Sequence, residues 1–340
     1  MSSDAIPKID ISTLFRGPSP ERDATDQAIL TAAGDSGFMT VTGLPAEVPL
    51  DPEHRRAVLR IFELTDQRLR PLWRQKFAPE QANLYRGWFP AQSGAVSYKR
   101  GMDIGPDLAH GEIAGDPDDP LCEPTPLPSA ALLPGWQDAV ADYYRGMEAT
   151  GQALMRALAR GLGLAEDWFD DAFRGGISTL RLIQYPPRPD EELQQLPPEQ
   201  LWVEHNGEQY QVVGKAHVDS GLVTLLAQDG VPGLQARSHD GTWCDVPPTE
   251  GTLAVNFGKL LERWSGGRIR ATEHRVLGSG RERHSIPFFY EPHVDAEIAP
   301  LPGDPPFEAF LYGDHLWAAT TQFVEFQGME SLRPPRGGRC

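Results

Sequence analysis

From Ser178 to Tyr290 the sequence consists of short β-type stretches separated by turn residues, and this pattern limits the possible folds more than any other feature. The stretches are STLRLIQY, GLVTLLAQ, GLQAR, TWCDV, TLAVNF, RIRATEHRVL and HSIPFFY, and Gly, Pro, Asp or Asn residues lie between them. Many short strands at this spacing are typical of antiparallel sandwiches and barrels. The pattern therefore predicts a mainly β fold with a jelly-roll core.

The residues before this β-rich region predict an α/β part with flanking helices. A strand at 6–10, a helical stretch and a strand at 37–41 follow one another, and residues 52–78 have helical character. Residues 84–134 are rich in Gly, Pro and Asp and are predicted to be irregular. In residues 136–162 apolar residues recur at spacings of three and four, which predicts a long helix whose apolar face backs the main sheet.

These predictions divide the 340 residues into four segments. Residues 1–134 form an amino-terminal region of strand, helix, strand and irregular segment, and residues 135–177 contain the backing helix and a connection. Residues 178–292 form the jelly-roll core, and residues 293–340 form a carboxy-terminal tail that packs on this core.

A charged segment at 188–215 interrupts the predicted core. Within it, WVEH and QYQV lie on either side of Asn206-Gly207, which is a typical two-residue hairpin turn. Two interpretations stay open, a lid and a surface hairpin, and we favour the hairpin.

Charge and composition exclude several classes of partner. A formal net charge of -17 opposes binding to nucleic acid and to anionic membranes. The sequence has no apolar run of membrane-spanning length and no secretory signal pattern at its amino terminus, so a cytoplasmic location is expected. Cys122, Cys244 and Cys340 fit neither a disulfide framework nor a metal knuckle and are interpreted as ordinary thiols. We expect a small-molecule substrate and no obligate protein partner.

A candidate metal site begins at His217 and Asp219, which share one face of a predicted strand because side chains at i and i+2 point the same way. The same tripeptide recurs as His293-Val294-Asp295, so spacing alone does not choose between the two. The first copy opens an apolar strand and is followed 57 residues later by His274, on another predicted strand. We therefore predict that His217, Asp219 and His274 are the ligands and that the second copy is a solvated strand end.

Two histidines and one carboxylate leave coordination positions open, which is the arrangement of Fe(II) enzymes that activate O₂. A closed zinc site would need four protein ligands. For His217 alone, a hydrogen-bonded core histidine would be the favoured interpretation, and the third ligand reverses that choice.

Arg283 and Ser285 form a second candidate site, nine residues after His274. A guanidinium matches a carboxylate with two parallel donors, and a hydroxyl two residues further on adds a third hydrogen bond. The pair therefore suits an organic acid. The alternative is an arginine at the sheet edge that is paired with a surface Asp or Glu.

The motifs in this region resemble the isopenicillin N synthase-like branch of the 2-oxoglutarate/Fe(II) oxygenases. They are His217-Val218-Asp219-Ser220-Gly221, Gly233-Leu234-Gln235, Asp245-Val246-Pro247-Pro248, Val255-Asn256, His274-Arg275-Val276 and Arg283-His284-Ser285-Ile286-Pro287. The resemblance continues in Tyr185-Pro186-Pro187 and in Tyr312-Gly313-Asp314-His315-Leu316, so that it covers most of the chain.

The resemblance implies a double-stranded β-helix buttressed by amino-terminal helices. It also implies that His217, Asp219 and His274 bind Fe(II), that Arg283 and Ser285 bind the distal carboxylate of 2-oxoglutarate, and that Tyr185 adds a hydrogen bond to this co-substrate. The implied reaction uses O₂, converts 2-oxoglutarate to succinate and CO₂, and hydroxylates or desaturates a small organic substrate, for which a carboxylate-bearing molecule is expected.

The sequence departs from the family pattern at three places. Ile183 stands where plant relatives have asparagine, Lys259 stands where an aspartate is frequent, and the segment 188–215 is longer than usual. Two alternatives therefore stay open. One is an Fe(II) oxidase that resembles isopenicillin N synthase and needs no 2-oxoglutarate, and the other is a non-catalytic small-molecule receptor.

Candidate substrate residues come from the irregular amino-terminal segment and from the strand that leads to Tyr185. They are Tyr85, Arg86, Trp88 and Arg181, with Lys99 and Arg100 as further basic groups. Basic groups in an acidic protein are suited to an anionic small molecule. The alternative for each of them is a surface ion pair or aromatic packing.

Overall fold

The computed structural model describes residues 6–337, in which helices surround two β-sheets and a short ribbon. The strands in chain order are β1 Lys8–Asp10, β2 Phe38–Thr42, β3 Gly87–Phe89, β4 Arg100–Ile104, β5 Thr179–Tyr185, β6 Trp202–His205, β7 Glu208–His217, β8 Val223–Gln228, β9 Leu234–Arg237, β10 Trp243–Asp245, β11 Leu253–Phe257, β12 His274–Gly278, β13 Arg283–Tyr290, β14 Glu297–Ile298 and β15 Phe310–Leu311. The helices are α1 Pro20–Asp35, α2 Pro52–Leu59, α3 Asp66–Leu69, α4 Asp107–His110, α5 Trp136–Gly161, α6 Asp170–Phe173, α7 Asp190–Leu193, α8 Pro198–Leu201, α9 Lys259–Trp264 and α10 Tyr312–Thr320.

The two sheets form the predicted jelly-roll core. The larger sheet has the order β1-β2-β11-β8-β13-β5-β4-β3, and the smaller has the order β10-β9-β12-β7-β6. Except for β1 with β2, all pairs in these sheets are antiparallel. A small apolar cluster joins residues of both sheets, including Ile183, Tyr185, Val213 and Val276, so the sheets face each other across this cluster.

Helix α5 covers the outer face of the larger sheet, as its apolar spacing predicts. The Tyr144 ring meets the Phe288 ring edge to face at 4.9 Å, and the Tyr144 hydroxyl donates to the carbonyl of Ser178 at 2.8 Å. Gly151 allows the closest approach, because a Cβ there would lie 2.6 Å from the Tyr290 ring. The helix and the sheet therefore enclose the main apolar core.

The segment 188–215 contains the predicted hairpin, and part of it also belongs to the smaller sheet of the core. Asn206 and Gly207 have φ angles of 52° and 80°, as a type I′ turn requires, and they connect β6 to β7. Strand β7 continues without a break to His217. The segment interpreted as an insertion therefore supplies the strand that carries the first candidate metal ligand.

Three predicted elements differ from the structure. Helix 52–78 is interrupted after α2 and a 3₁₀ turn, because Leu64 and Thr65 have extended backbone, and α3 is a single turn. The passage 84–134 contains β3 and β4, which extend the larger sheet. In the stretch RIRATEHRVL only the part from His274 onward is strand.

Two further sequence expectations concern membranes and thiols. Within residues 6–337 no helix is both long enough and apolar enough to cross a membrane. Cys122 and Cys244 are buried and form no disulfide with each other, and Cys340 lies outside the described residues.

Candidate active site

Strand pairing brings the two candidate metal histidines side by side. His217 ends β7, His274 begins β12, and these two residues are directly opposite each other in the antiparallel register. Their ring centroids are 4.3 Å apart. Asp219 follows two residues after His217, in the loop before β8. Two segments that are distant in sequence thus bring three side chains together at one point on the jelly roll.

The donor atoms of these three residues form a group of the size that a metal ion needs. Nε2 of His217 lies 3.6 Å from Oδ1 of Asp219, and Nε2 of His274 lies 3.7 Å from the same oxygen. All donor atoms lie within 4.8 Å of one another. Because one ion at ordinary ligand distances of about 2.1 Å could contact all three, the geometry suits a two-histidine, one-carboxylate centre.

The remaining polar atoms of the three side chains are held by the protein. Nδ1 of His217 bonds to the carbonyl of Lys215 at 2.8 Å, and Nδ1 of His274 bonds to the carbonyl of Thr272 at 3.2 Å. Oδ2 of Asp219 accepts from Oγ1 of Thr224 at 2.6 Å and from Nδ2 of Asn256 at 2.7 Å. These bonds leave each Nε2 and Oδ1 of Asp219 for the ion.

The electrostatics of the site also suit a cation. Burial, together with the neighbouring His274, lowers the pKa of His217 to about 4, so its imidazole is neutral at ordinary pH. Burial works against ionisation of Asp219, but the two histidines and the hydrogen bonds from Thr224 and Asn256 prevail and lower its pKa. Neutral imidazoles and an ionised carboxylate are the protonation states that bind a divalent metal.

Gly258 allows the loop after Asp219 to lie close to the chain that follows β11. A Cβ at Gly258 would lie 2.4 Å from the carbonyl oxygen of Gly221 and 2.9 Å from that of Asp219. The amide of Lys259 donates to the same Asp219 carbonyl at 2.8 Å. The Lys259 backbone therefore helps to position a candidate ligand, whatever residue type stands there in relatives.

Arg283 and Ser285 lie on β13, opposite Tyr185 and Ile183 on β5. Both side chains are almost completely buried, with 2% and 1% exposure. Arg283 donates from Nη2 to Oε1 of Gln228 at 3.0 Å and from Nε to the carbonyl of Val231 at 3.3 Å. Within residues 6–337 neither Nη1 of Arg283 nor Oγ of Ser285 has a hydrogen-bond partner.

Unsatisfied buried donors are unfavourable, and a buried guanidinium is more so. Burial accordingly lowers the pKa of Arg283, and its guanidinium carbon lies 5.3 Å from the centre of the Tyr185 ring. A carboxylate placed here would satisfy both orphan atoms and compensate the charge. The residues present therefore fit the distal carboxylate of 2-oxoglutarate. Ile183 belongs to the apolar cluster around this site and gives it an apolar wall where plant relatives have a polar one.

A cavity of about 520 Å³ opens on the metal-binding residues, and its walls come from distant parts of the chain. His217 and Asp219 line it, whereas His274, Arg283, Ser285 and Tyr185 do not. Residues 322–326 form one wall, which is held in place by Lys76, whose Nζ donates to the carbonyls of Val324 and Gln327 at 2.6 and 2.9 Å. The cavity has the size of a small-molecule site.

Comparison with known proteins agrees with this geometry. The family model of the 2OG-Fe(II) oxygenase superfamily matches residues 176–292, which include all six predicted metal and co-substrate residues. The 2-oxoglutarate-Fe(II) type oxidoreductase hxnY of Emericella nidulans is 29% identical over 318 residues, covering 89% of this chain and 84% of that protein. Isopenicillin N synthase of Streptomyces clavuligerus is 29% identical over 328 residues, covering 93% and 94%.

A solved structure shows the same similarity over the whole fold. A full-length Neurospora crassa protein, crystallised in complex with alpha-KG and thymine, superposes with a TM-score of 0.76 at 26% identity, covering 95% of this chain and 99% of that one. These similarities extend over most of the chain and support its assignment to the 2OG-Fe(II) oxygenase superfamily. This oxygenase is a 2-oxoglutarate-dependent Fe(II) dioxygenase, with Fe(II) as its metal and 2-oxoglutarate and O₂ as co-substrates. The resemblance, the jelly-roll fold and the enzyme class expected from the sequence are confirmed.

Of the four predicted substrate residues of this oxygenase, Tyr85 and Arg181 line the cavity, and Arg86 and Trp88 do not. Arg86 is completely buried and donates from Nη1 to Oγ1 of Thr179 and from Nη2 to the carbonyl of Ile177, both at 2.6 Å. Trp88 is core and packs on Phe62 with ring centroids 5.5 Å apart. For these two residues, packing and internal hydrogen bonding replace the predicted contact with substrate.

The second His-Val-Asp lies away from the metal cluster of this oxygenase. Among the described residues, only His217, Asp219 and His274 form a group that could hold a metal. His293 instead accepts a hydrogen bond at Nδ1 from the backbone amide of Asp295, at 3.1 Å, in a turn rather than at a strand end.

Sequence reasoning missed three carboxylates of the oxygenase cavity region, Asp103, Glu291 and Glu325. Glu291 and Glu325 line the cavity, and Asp103 bonds the cavity residue Arg181. No periodicity marks any of them, because each reaches the site through a contact between distant segments. Asn256, which orients Asp219, lies in the Val255-Asn256 motif and had a detectable signal.

Proposed function

We propose that this oxygenase hydroxylates or desaturates a small organic substrate in the cavity, with release of succinate and CO₂. In the proposal, His217, Asp219 and His274 hold Fe(II), Arg283 and Ser285 bind the distal carboxylate of 2-oxoglutarate, and Tyr185 adds a contact to this co-substrate. The observation that carries the assignment is the pair of buried orphan donors, Nη1 of Arg283 and Oγ of Ser285, in a jelly roll that also bears a complete set of metal ligands.

Each protein group has a positioning role in this reaction. Bound Fe(II), with 2-oxoglutarate and O₂, supplies the oxidising chemistry. The chain decides which C–H bond lies within reach, because the cavity walls fix the substrate relative to His217 and Asp219. The hydrogen bonds from Thr224 and Asn256 hold the Asp219 carboxylate in one orientation, so that its free oxygen faces the metal position.

The relatives support a small-molecule substrate. One is named for isopenicillin N synthesis, one was crystallised with thymine, and another is a homoarginine-6-hydroxylase from Oryza sativa. Similarity to isopenicillin N synthase favours a second candidate for the role of Arg283 and Ser285, in which this pair holds a carboxylate of the substrate rather than that of 2-oxoglutarate.

An anaerobic titration of the Fe(II)-loaded protein with 2-oxoglutarate distinguishes the two candidates. Chelation of the metal by the keto acid produces a weak visible charge-transfer band, so a saturable band is the expected result. Bound iron without such a band would contradict the assignment of Arg283 and Ser285 to 2-oxoglutarate and favour a substrate carboxylate at this pair.

A further inference from the structure

The inner face of β5 connects the co-substrate end of the fold with the substrate cavity. Thr179, Arg181, Ile183 and Tyr185 alternate along this strand and so share one face. Tyr185 is opposite Arg283, whereas Arg181 and Thr179 line the cavity. Arg181 is the one charged residue of β5, and the other residues of this strand are buried. Its partners therefore indicate what the charge is for.

The Arg181 guanidinium is held in place by one carboxylate on the neighbouring strand. Nε and Nη2 donate to the two oxygens of Asp103 at 2.6 and 2.8 Å. The side chain lies between the rings of Phe89 and Phe289, each 5.5 Å from the guanidinium carbon. Among the described residues this is its only salt bridge, and Nη1 has no partner. Asp103 thus fixes Arg181 and leaves the Nη1 amino group for a ligand in the cavity.

Arg181 shares its carboxylate partners with other cations. Asp103 also binds the buried guanidinium of Arg74, so one carboxylate serves two arginines. Lys99 lines the same cavity and lies 3.2 Å from Oε1 of Glu325. Both carboxylates near Arg181 are thus shared, Asp103 with Arg74 and Glu325 with Lys99, in a protein whose formal net charge is -17. A bound anion would give Arg181 and Lys99 a further counterion in the cavity.

The donors that remain select the class of anion. Two separate groups, Nη1 of Arg181 and the ammonium of Lys99, match the two oxygens of a carboxylate. The other cavity walls include Leu222, Phe289 and Phe323, which suit an apolar body.

We propose that the substrate of this oxygenase is a small organic monocarboxylate whose carboxylate binds between Nη1 of Arg181 and Nζ of Lys99. Its apolar part extends along the cavity toward His217 and Asp219, where the reacting C–H bond lies. This inference rests on the proposed function for the reaction, but the binding of a carboxylate can be measured without turnover.

The test compares matched carboxylates and amides. Aliphatic acids from butanoate to decanoate, and benzoate, phenylacetate and 2-naphthoate, are each paired with the amide of the same skeleton. Calorimetry measures their binding to the anaerobic protein loaded with Fe(II) and 2-oxoglutarate, and succinate formation in air measures their effect on turnover. At least one carboxylate is expected to bind about tenfold or more tightly than its amide, which is the effect of about 1.4 kcal/mol.

Variants assign that preference to the two residues. Arg181→Met and Lys99→Met should each remove it, and Arg100→Met, which neighbours Lys99 but lies outside the cavity, should retain it. Lys99→Met keeps the test decisive if Arg181→Met fails to fold. The proposal is overturned if no carboxylate binds better than its amide, or if both Arg181→Met and Lys99→Met keep the preference. The 2-oxoglutarate band is recorded for each variant, so a failure of the proposed function appears separately as a missing band.

Discussion

Two arginines, the buried Arg283 and the half-buried Arg181, lie at the two ends of the inner surface formed by β5 and β13, and their surroundings are opposite in kind. Arg283 has only neutral partners, the Gln228 amide and the Val231 carbonyl, and within the described residues no carboxylate lies at salt-bridge distance. Arg181 donates two hydrogen bonds to Asp103. One arginine lacks its counterion, and the other has it built in.

The difference indicates what each end of the site requires from its ligand. At Arg283 the ligand must supply the whole counterion, because a unit charge pair at about 4 Å is worth about 4 kcal/mol at an effective dielectric constant near 20. At Arg181 the protein has already supplied a counterion and oriented the guanidinium, so a ligand meets the positioned Nη1 amino group. The co-substrate end is therefore predicted to require an anionic ligand. At the substrate end, changes in a few side chains are predicted to alter which ligands bind.

The largest effect on activity is expected at the metal ligands, on which both the co-substrate and the substrate depend. His217→Ala should abolish both Fe(II) binding and turnover, because two remaining donors do not hold the ion. Iron content after anaerobic reconstitution and succinate formation measure the two outcomes. His293→Ala, in the second copy of the tripeptide, is the matched control and should behave as the wild type. The opposite pattern would show that the wrong copy was chosen.

Asp103→Asn should remove the counterion that the protein supplies to Arg181, and it should lower stability. Two guanidiniums, those of Arg74 and Arg181, would lose their carboxylate in a buried place, and breaking a buried ion pair costs about 3–5 kcal/mol of unfolding free energy. Urea denaturation measures the loss. Asp66→Asn removes a carboxylate that is 78% exposed and paired with Arg100, so its effect should stay below about 1 kcal/mol. Equal losses in the two variants would contradict the network described for Asp103.

Arg283→Met should weaken binding of 2-oxoglutarate, because it removes the arginine at the co-substrate end of the site. The 2-oxoglutarate concentration required for half-saturation of the charge-transfer band should rise about 30-fold or more, as expected when one partner of a buried charged pair is removed at a cost of about 2–5 kcal/mol. Arg281→Met changes an exposed arginine two residues away and should leave it unchanged. Arg181→Met should also leave it unchanged, and a comparable rise there would mean that the two ends are not independent.

The smallest effect concerns pH and two carboxyl groups of the cavity. Burial raises the pKa of Glu291 to about 7, so the folded protein keeps a proton that the unfolded chain has lost above about 4.5. Stability should therefore fall as pH rises from about 4.5 to 7, by at most about 1.4 kcal/mol per pH unit. Glu291→Gln should remove this fall, as measured by urea denaturation at several pH values.

Glu325 should show the opposite dependence. Burial would raise its pKa, but Lys99 and Arg181 prevail and lower it to about 2. Its contribution to stability is present above about pH 4.5 and is lost as pH falls toward 2. Glu325→Gln should flatten the acid side of the curve and leave the range from 4.5 to 7 unaffected. The same change of slope in both variants would contradict the assignment of the two environments.

The features that were predictable from sequence depend on local periodicity. The alternation of side chains along β13 places Arg283 with Ser285, and antiparallel pairing brings His274 beside His217. His217 and Asp219 do meet, but not on one strand face as predicted, because β7 ends at His217 and Asp219 lies in the loop that follows. Asp103 and Glu325 were not predictable, because they approach Arg181 and Lys99 across long sequence separations without a repeating pattern. The helix expected at 52–78 failed for a related reason, since extended backbone at Leu64 and Thr65 interrupts it despite its helical composition.

The shared strands β5 and β13 have a consequence for how specificity can change. A strand has a nearly constant rise of about 3.3 Å per residue, so the offset between the Arg283 end and the Phe289 end is set by the backbone and not by side-chain choice. A longer or shorter substrate cannot be accommodated by moving these strands. It must be accommodated by the wall at 322–326, which belongs to neither sheet. The spacing along β5 and β13 is therefore fixed, whereas the wall at 322–326 can vary independently. A change of substrate is expected to require changes in this wall.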